Sequence, residues 1–452
     1  MRIDSALVRD GVTPEQLRQL ISRHQATQAR YEKLRRYYRG EHAILDRRRA
    51  SEASANNRIV ANHAKYITDM TTAYLVGTPV TYSAADGLDI EPVKDCYFEQ
   101  AIANLDAELE RDASICGMAL EMVYANAEAQ PRSCLIPAEQ AFVVYDDTAE
   151  SNKLFGVYYH NRMELDGRKG KAEVIMLDGR NRYTYAGRDS SFSNLELVGT
   201  EPHYFGAVPM IEYRNNTERQ GDFEQQISLI DAYNTMLSDR VNDKEQFVDA
   251  MLLLVSIDLD SDTARKLKEE KILESLDKDG RAEYLSKALA EADVEVLRNA
   301  LKEDIHRFSM VPDLSDEEFA GNLSGVAIKY KLLGFEQHIK NKERLFETGL
   351  KERFALYNGF LNVKRNMPIV PVHKIDVEFS RNLPANELEL SQMIANLIGI
   401  ASTETLLTRL PFVTDAKEEA QLAAAEAQEK SERRVLTSRK LMEYGEDAPD
   451  DE

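Results

Sequence analysis

The chain has 452 residues, 43% of them hydrophobic and 30% charged, with a formal net charge of −21 at pH 7. Such a length and balance exclude a disordered chain and allow roughly two to four compact units around a sizeable core. A surface this acidic also excludes a protein that grips nucleic acid over most of its area, because tight binders neutralise phosphates with clustered Lys and Arg.

The N-terminal helix is signalled by VTPEQLRQL, with Thr13 as cap, Pro14 at the first helical position and Gln16 where a capping box needs it. Its pattern runs to RRYYRG, where Gly40 can close it. A second helical pattern covers NHAKYITDMTTAYLVG and stops at Gly77, and a third lies near 100–114. The texture then turns to strand: LEMVYANAE, AFVVYDD, LFGVYYHN, AEVIML and RYTYAG are short β-branched and aromatic runs separated by turn residues. This block ends near GAVPMIEY.

From Asp222, expected as a helix cap, a long helix is predicted through DFEQQISLIDAYNTMLSDRVNDKEQFVDAMLLL. A small polar module follows over about 256–288, then a shorter helix with Val294, Leu297, Leu301, Ile305 and Phe308 on one stripe, ending before Pro312. Residues 311–323 form an acidic loop. From Ser324 to Tyr357 a rod of roughly 50 Å, at about 1.5 Å per residue, carries Ile328, Leu332, Phe335, Ile339, Phe346, Leu350 and Phe354 near one face. The strand KIDVEF, two helices capped near Ser402 and Asp415, and an acidic tail, GEDAPDDE, expected to be disordered, complete the chain. The fold class is therefore α+β, mainly helical.

No segment approaches the roughly 18 to 20 apolar residues of a membrane span; the best, AMLLLVSI, is only eight residues long. The first residues, MRIDSALVRDG, lack an apolar signal core, and Cys96, Cys116 and Cys134 form no CxxC pair. A soluble intracellular protein with reduced thiols and no membrane partner is the expectation.

Enzyme signatures are missing. The sequence contains no GxxxxGK[ST], GxGxxG, HExxH or GxSxG, so no nucleotide, dinucleotide or zinc cofactor is expected. DLDSDTARKLKEE begins like a calcium loop, with Asp258, Asp260, Asp262 and Glu269, but Thr263 stands where the sharp turn needs Gly. The run Arg47, Arg48, Arg49 suits a solvated surface or a subunit salt-bridge patch better than a phosphate site. His63 and His338 read as ordinary helix-face residues. The loop acids Asp313, Asp316, Glu317 and Glu318 suit either a helix start, where acids face the positive end of the dipole, or a surface that presents negative charge to an anion. A metal-dependent phosphoesterase or nuclease using Asp258, Asp260, Asp316 and Glu317 is the alternative, since two-metal chemistry needs several converging carboxylates. A monomeric adaptor is a third reading.

Two helices around a small module, then a loop, then a very long helix: this layout resembles the portal proteins of tailed bacteriophages, in the branch typical of siphophages. The blocks YYRGEHAI, NNRIVANHAKYITDMTTAYLVGTPVTY, PAEQAFVVYDDT, VPMIEYRNNTERQGDFEQQISLIDAYNTMLSDRVNDKEQFVDA, MVPDLSDEEFAGNLSGVAIKYKL and FSRNLPANELE with IGIASTETLLTRLP carry the likeness in order over 37–411.

The resemblance implies a ring, usually of twelve subunits, at one capsid vertex, with double-stranded DNA passing through its channel. It implies a wing at 1–221 with the later strand, stem helices at 222–255 and 289–310, a clip at 256–288, a tunnel loop at 311–323, the long helix and returning strand at 324–383, crown helices at 384–435 and the tail at 436–452. Partners implied are the terminase large subunit, scaffolding and major capsid proteins and a head-completion adaptor, in the host cytoplasm during assembly and in the virion afterwards. No catalysis is implied, because ATP hydrolysis belongs to the terminase. The channel-loop residues carried over are Asp313, Ser315, Asp316, Glu317, Glu318, Gly321, Asn322, Ser324 and Gly325, with the glycines and Ser324 letting the loop change shape.

Overall fold

The computed structural model describes residues 1–428 apart from positions 10, 50–54, 86, 249–250, 256–280, 286–290, 315–328, 382–386, 411–412, 414–415 and 427. Helix α1 (Pro14–Gln25) opens with the expected capping box: Thr13 N–H donates to Gln16 Oε1 at 2.9 Å, and Gln16 N–H to Thr13 Oγ1 at 3.3 Å. The single helix expected up to Gly40 is in fact two. α2 (Gln28–Tyr38) starts anew after Ala26 and Thr27, where the Thr27 hydroxyl donates to His24 O at 2.7 Å and competes with helical continuation.

α3 (His63–Val76) stops before Gly77 as expected and is capped by Asn62, whose side chain accepts from Lys65 N–H. The third expected helix is α5 (Ile102–Cys116). α4 (Glu91–Gln100), which the pattern did not reveal, precedes it, with Ala101 at φ 53° turning the chain between them.

The strand block builds two sheets. In the larger, β1 (Arg2–Ile3) lies parallel to β5 (Ala141–Asp146), followed antiparallel by β6 (Lys153–Met163), β7 (Lys169–Leu177), β8 (Asn181–Gly187) and β9 (Leu195–Pro202). In the smaller, β3 (Met118–Ala125) sits between β4 (Pro131–Ile136) and β10 (Met210–Arg214). KIDVEF returns as β13 (Ile375–Glu378), paired antiparallel with β2 (Thr81–Ala84) in the register Val377↔Tyr82.

α6 (Ile227–Val248) is shorter than predicted, because Met251–Val255 is a strand, β11, paired with β12 (Arg281–Leu285). An unbroken apolar run carries no period, so only its distant partner decides between helix and strand. α7 (Glu291–Ser309) follows, and of its five stripe residues only Ile305 is fully buried, while Leu297 and Phe308 are exposed. The rod is α8 (Leu333–Arg365), as long as expected but extending beyond Tyr357 to the left-handed Asn366. Phe335, Ile339, Phe346, Leu350 and Phe354 are buried along it, while Ile328 lies outside the described residues. α9 (Glu387–Leu397) was not expected; α10 (Thr403–Leu407) takes its cap from Ser402 as expected, and residues 416–426 are helical.

Two cores result. The main one gathers α2 to α5, the smaller sheet and α8; the second lies between α1 and the six-stranded sheet around Leu17, Ile21, Phe142 and Tyr159.

Candidate functional site

The acidic loop leaves α7 over a built seat. Ser309 ends the helix, Met310 adopts φ 58°, and Val311 turns into the core with no exposed surface. His306 Nδ1 lies 3.0 Å from Val311 O, so this nitrogen is the one that carries the proton. One hydroxyl on α3 then fixes both backbone polarities of the next residues: Tyr66 Oη donates to Pro312 O at 2.9 Å and accepts from Leu314 N–H at 3.1 Å.

Behind these contacts His63 packs edge-on to Tyr233 and His306, with ring centroids 5.0 and 5.5 Å apart. Burial, aided by the neighbouring His306, holds the His63 imidazole down at about 4, so it is neutral at pH 7. On the far side an open cleft of about 380 Å³ is lined by Arg307, Met310, Pro312, Lys331 and Phe335.

Asp313 is the one expected loop acid among the described residues. Its carboxylate forms an ion pair with Lys302 on α7, and its side chain is largely covered. Spacing between acids cannot reveal a partner one helix away. Ser315, Asp316, Glu317, Glu318, Gly321, Asn322, Ser324 and Gly325 lie outside the described residues.

The long helix is tied down at its start and deep in its body. Tyr74 Oη donates to Glu336 Oε2 at 2.7 Å, and Arg381 pairs with both Glu336 and Glu343. Deeper, Asp222 is an interior ion and not the helix cap expected. Its Oδ2 accepts from Ser114 Oγ and Lys342 Nζ, both at 2.6 Å, and its Oδ1 from Asn215 Nδ2 at 2.8 Å. Burial alone would push this carboxyl up; the Lys342 ammonium outweighs it and holds the group far below the usual carboxylate range. His338, expected as an ordinary helix-face residue, stands 3.6 Å from Asp222 Oδ1, beyond hydrogen-bond reach. About three turns further on, Arg353 lies fully buried between Glu121 at 2.8 Å and Asp106 at 2.6 Å. Neither network carries a local sequence signal, since each joins residues more than a hundred positions apart.

The remaining candidates separate clearly. Arg47 pairs with Asp239 on α6 at 2.6 Å, while Arg48 and Arg49 are exposed. Cys96, Cys116 and Cys134 are free thiols, and burial pushes the Cys134 thiol up to about 11. Among the described residues no group of His, Cys, Asp and Glu could hold a metal, and no helix is long and apolar enough to cross a membrane. Asp258, Asp260, Asp262, Thr263 and Glu269 lie outside the described residues, as do Asp316 and Glu317.

Comparison with known proteins points one way. A family model described as phage portal protein, SPP1 Gp6-like, matches residues 17–433. The portal protein of Bacillus phage SPP1 is 24% identical over 410 residues, covering 85% of this chain and 81% of its own length. That of Clostridium phage phiCD119 is 24% identical over 437 residues, covering 89% and 94%. Among solved structures, a chain from the neck of an empty GTA particle, computed with C6 symmetry, aligns with a TM-score of 0.48 and 13% identity over 77% of this chain and 90% of that one. Neither the family model nor the two phage relatives point to a phosphoesterase. Because the family match runs from the first helix through both cores, the loop seat and the long helix, the chain belongs to the SPP1 Gp6-like family of phage portal proteins.

Proposed function

We propose that twelve copies of this chain form the ring at a single capsid vertex through which double-stranded DNA is packaged and later ejected. A member of this family is a structural, ring-forming part of the phage head connector in the virion. The observation that carries the finer reading is the seat of the acidic loop: Tyr66, His306 and Lys302 hold residues 311–314 while the segment beyond leads to the head of the 33-residue helix α8. A loop anchored this way has a fixed base from which to contact a passing duplex.

With Asp313 engaged by Lys302, the collar consists of Asp316, Glu317 and Glu318 from each copy. At physiological salt these charges act over roughly 8 Å, so they repel the duplex only when it is close. No counterion release rewards a fixed register, and the duplex slides. In this reading Gly321, Ser324 and Gly325 let the loop change shape between subunits, since Gly tolerates backbone angles that other residues avoid.

In this reading residues 1–221 with β13 are the wing, α6 and α7 the stem, 256–288 the clip, 384–435 the crown and 436–452 the tail. The clip docks the terminase large subunit and then a head-completion adaptor. Scaffolding and major capsid proteins surround the ring, which assembles in the host cytoplasm. The protein has no enzymatic step of its own and needs no cofactor.

Native mass spectrometry of the purified protein tests the ring, with rings of about twelve copies expected. A persistent monomer or dimer across salt conditions overturns it. Packaging assays test the loop: Gly321→Pro and Gly325→Pro rings are expected to assemble but package poorly, and normal packaging by both removes the hinge role.

A further inference from the structure

The α6–α7 hairpin has two outward faces of opposite character. Its inner sides meet where Arg298 reaches Tyr233 Oη at 3.4 Å and Arg240 reaches Glu295 at 3.1 Å. A second side of α6 is taken by the preceding extended segment, whose backbone N–H groups at Asn57, Ile59 and Ala61 donate to Asn242, Ser238 and Asn234. Away from these two contacts α6 presents a row of short side chains, Ser228, Ala232 and Thr235, all exposed, continued by Asp239.

The outer side of α7, turned away from Arg298, is the reverse. Val296, Leu297 and Phe308 are 70%, 51% and 60% exposed, with Ala300 between them. Large apolar side chains in water on a helix face mark an interaction surface. The charges also complement each other. Asp239 holds Arg47, which brings the exposed Arg48 and Arg49 beside the α6 face, whereas the α7 face carries the exposed acids Asp293 and Glu303, with the exposed Arg307 near its end.

We propose that the outer face of α7 in one copy docks on the outer face of α6 and the Arg47–Arg49 run of the next copy. The partner is a second copy of this chain, and the proposal rests on the ring reading above. Two unlike faces on opposite sides of one hairpin make a head-to-tail contact, the kind that closes a ring by rotation. Large side chains on one helix and short ones on the other let the axes approach within roughly 8 to 10 Å. Rotation about an axis along the hairpin preserves height. Since Tyr233 stands level with Arg298 and Arg240 with Glu295 within one chain, Ala300 falls level with Ala232, and Leu297 with Thr235, of the neighbour.

The test is cross-linking in the full-length protein with a short bis-maleimide, read on denaturing gels beside native mass spectra of the same samples. Ala232→Cys with Ala300→Cys, and separately Thr235→Cys with Leu297→Cys, are expected to give a ladder of covalent multimers rising to the complete ring. The four single variants and the parent, whose cysteines are buried or half-buried, are expected to stay monomeric on the gel. Intact rings with no ladder from either pair overturn this contact while leaving the ring reading in place. Ladders from single variants overturn it too, because they signal a face meeting its own copy. Absence of rings in the parent removes the ring reading, and this contact with it.

Discussion

Lys342 brings its ammonium 2.6 Å from Asp222 Oδ2 and 2.7 Å from Glu110 Oε1, with at most 2% of any of the three side chains exposed. Asp222 precedes α6, Glu110 lies on α5 and Lys342 on α8, so one cation joins the entry to α6, the main core and the long helix. Removing one partner of such a cluster leaves buried charge uncompensated, at about 3 to 5 kcal/mol. Lys342→Met is therefore expected to lower unfolding stability in urea by that order, and Lys342→Met with Asp222→Asn to recover part of it. Unchanged stability in the single variant would mean the cluster is not confined as described.

Gly349 lies inside α8 with its Cα facing Tyr213, and a methyl group there would overlap the Tyr213 ring. Alanine is the better helix former by about 1 kcal/mol. Overpacking costs about 1 to 3 kcal/mol and wins where the neighbour is held, as Tyr213 is by its 2.6 Å hydrogen bond to Glu121. Gly349→Ala should lower the melting temperature; a rise would show that Tyr213 yields.

Tyr66→Phe removes the hydroxyl that serves both Pro312 O and Leu314 N–H. A loss of about 1 to 2 kcal/mol is expected, with faster amide hydrogen exchange at Leu314 and unchanged exchange in the six-stranded sheet. Equal protection at Leu314 in both proteins would count against the tyrosine as the tie of the loop base.

His24 is 3% exposed, with Nδ1 2.8 Å from Tyr159 Oη, and burial holds it at about 4. As pH falls, the unfolded chain takes up this proton first, near 6.5, so the neutral imidazole stabilises the fold fully above that pH and loses its contribution down to about 4. His63 acts in the same direction over the same window. Melting temperature should drop between pH 7 and 4.5, and His24→Gln should lose less over that interval than the parent. Parallel pH profiles for the two proteins would remove His24 from the account.

Much of the architecture was legible because its signals are local. The Thr13 capping box, the Asn62 start of α3, the strand runs and the apolar stripe of α8 each sit within a few turns of sequence. The N-terminal break was hidden because Thr27 acts through a single hydroxyl within an otherwise continuous pattern. β11 looked helical because five apolar residues in a row have no period, and its partner lies thirty positions away.

The site divides in the same way. Sequence alone determined that an acidic, glycine-containing segment stands between two helices, and that its wording follows the portal family. Only the tertiary structure decided that Asp313 is spent on Lys302, that Tyr66 and His306 hold the loop base, and that Asp222 is an interior ion. The physical reason is that caps and periodicity are set by neighbours in the chain, whereas the charge state of a buried group is set by whichever distant residues the fold packs against it.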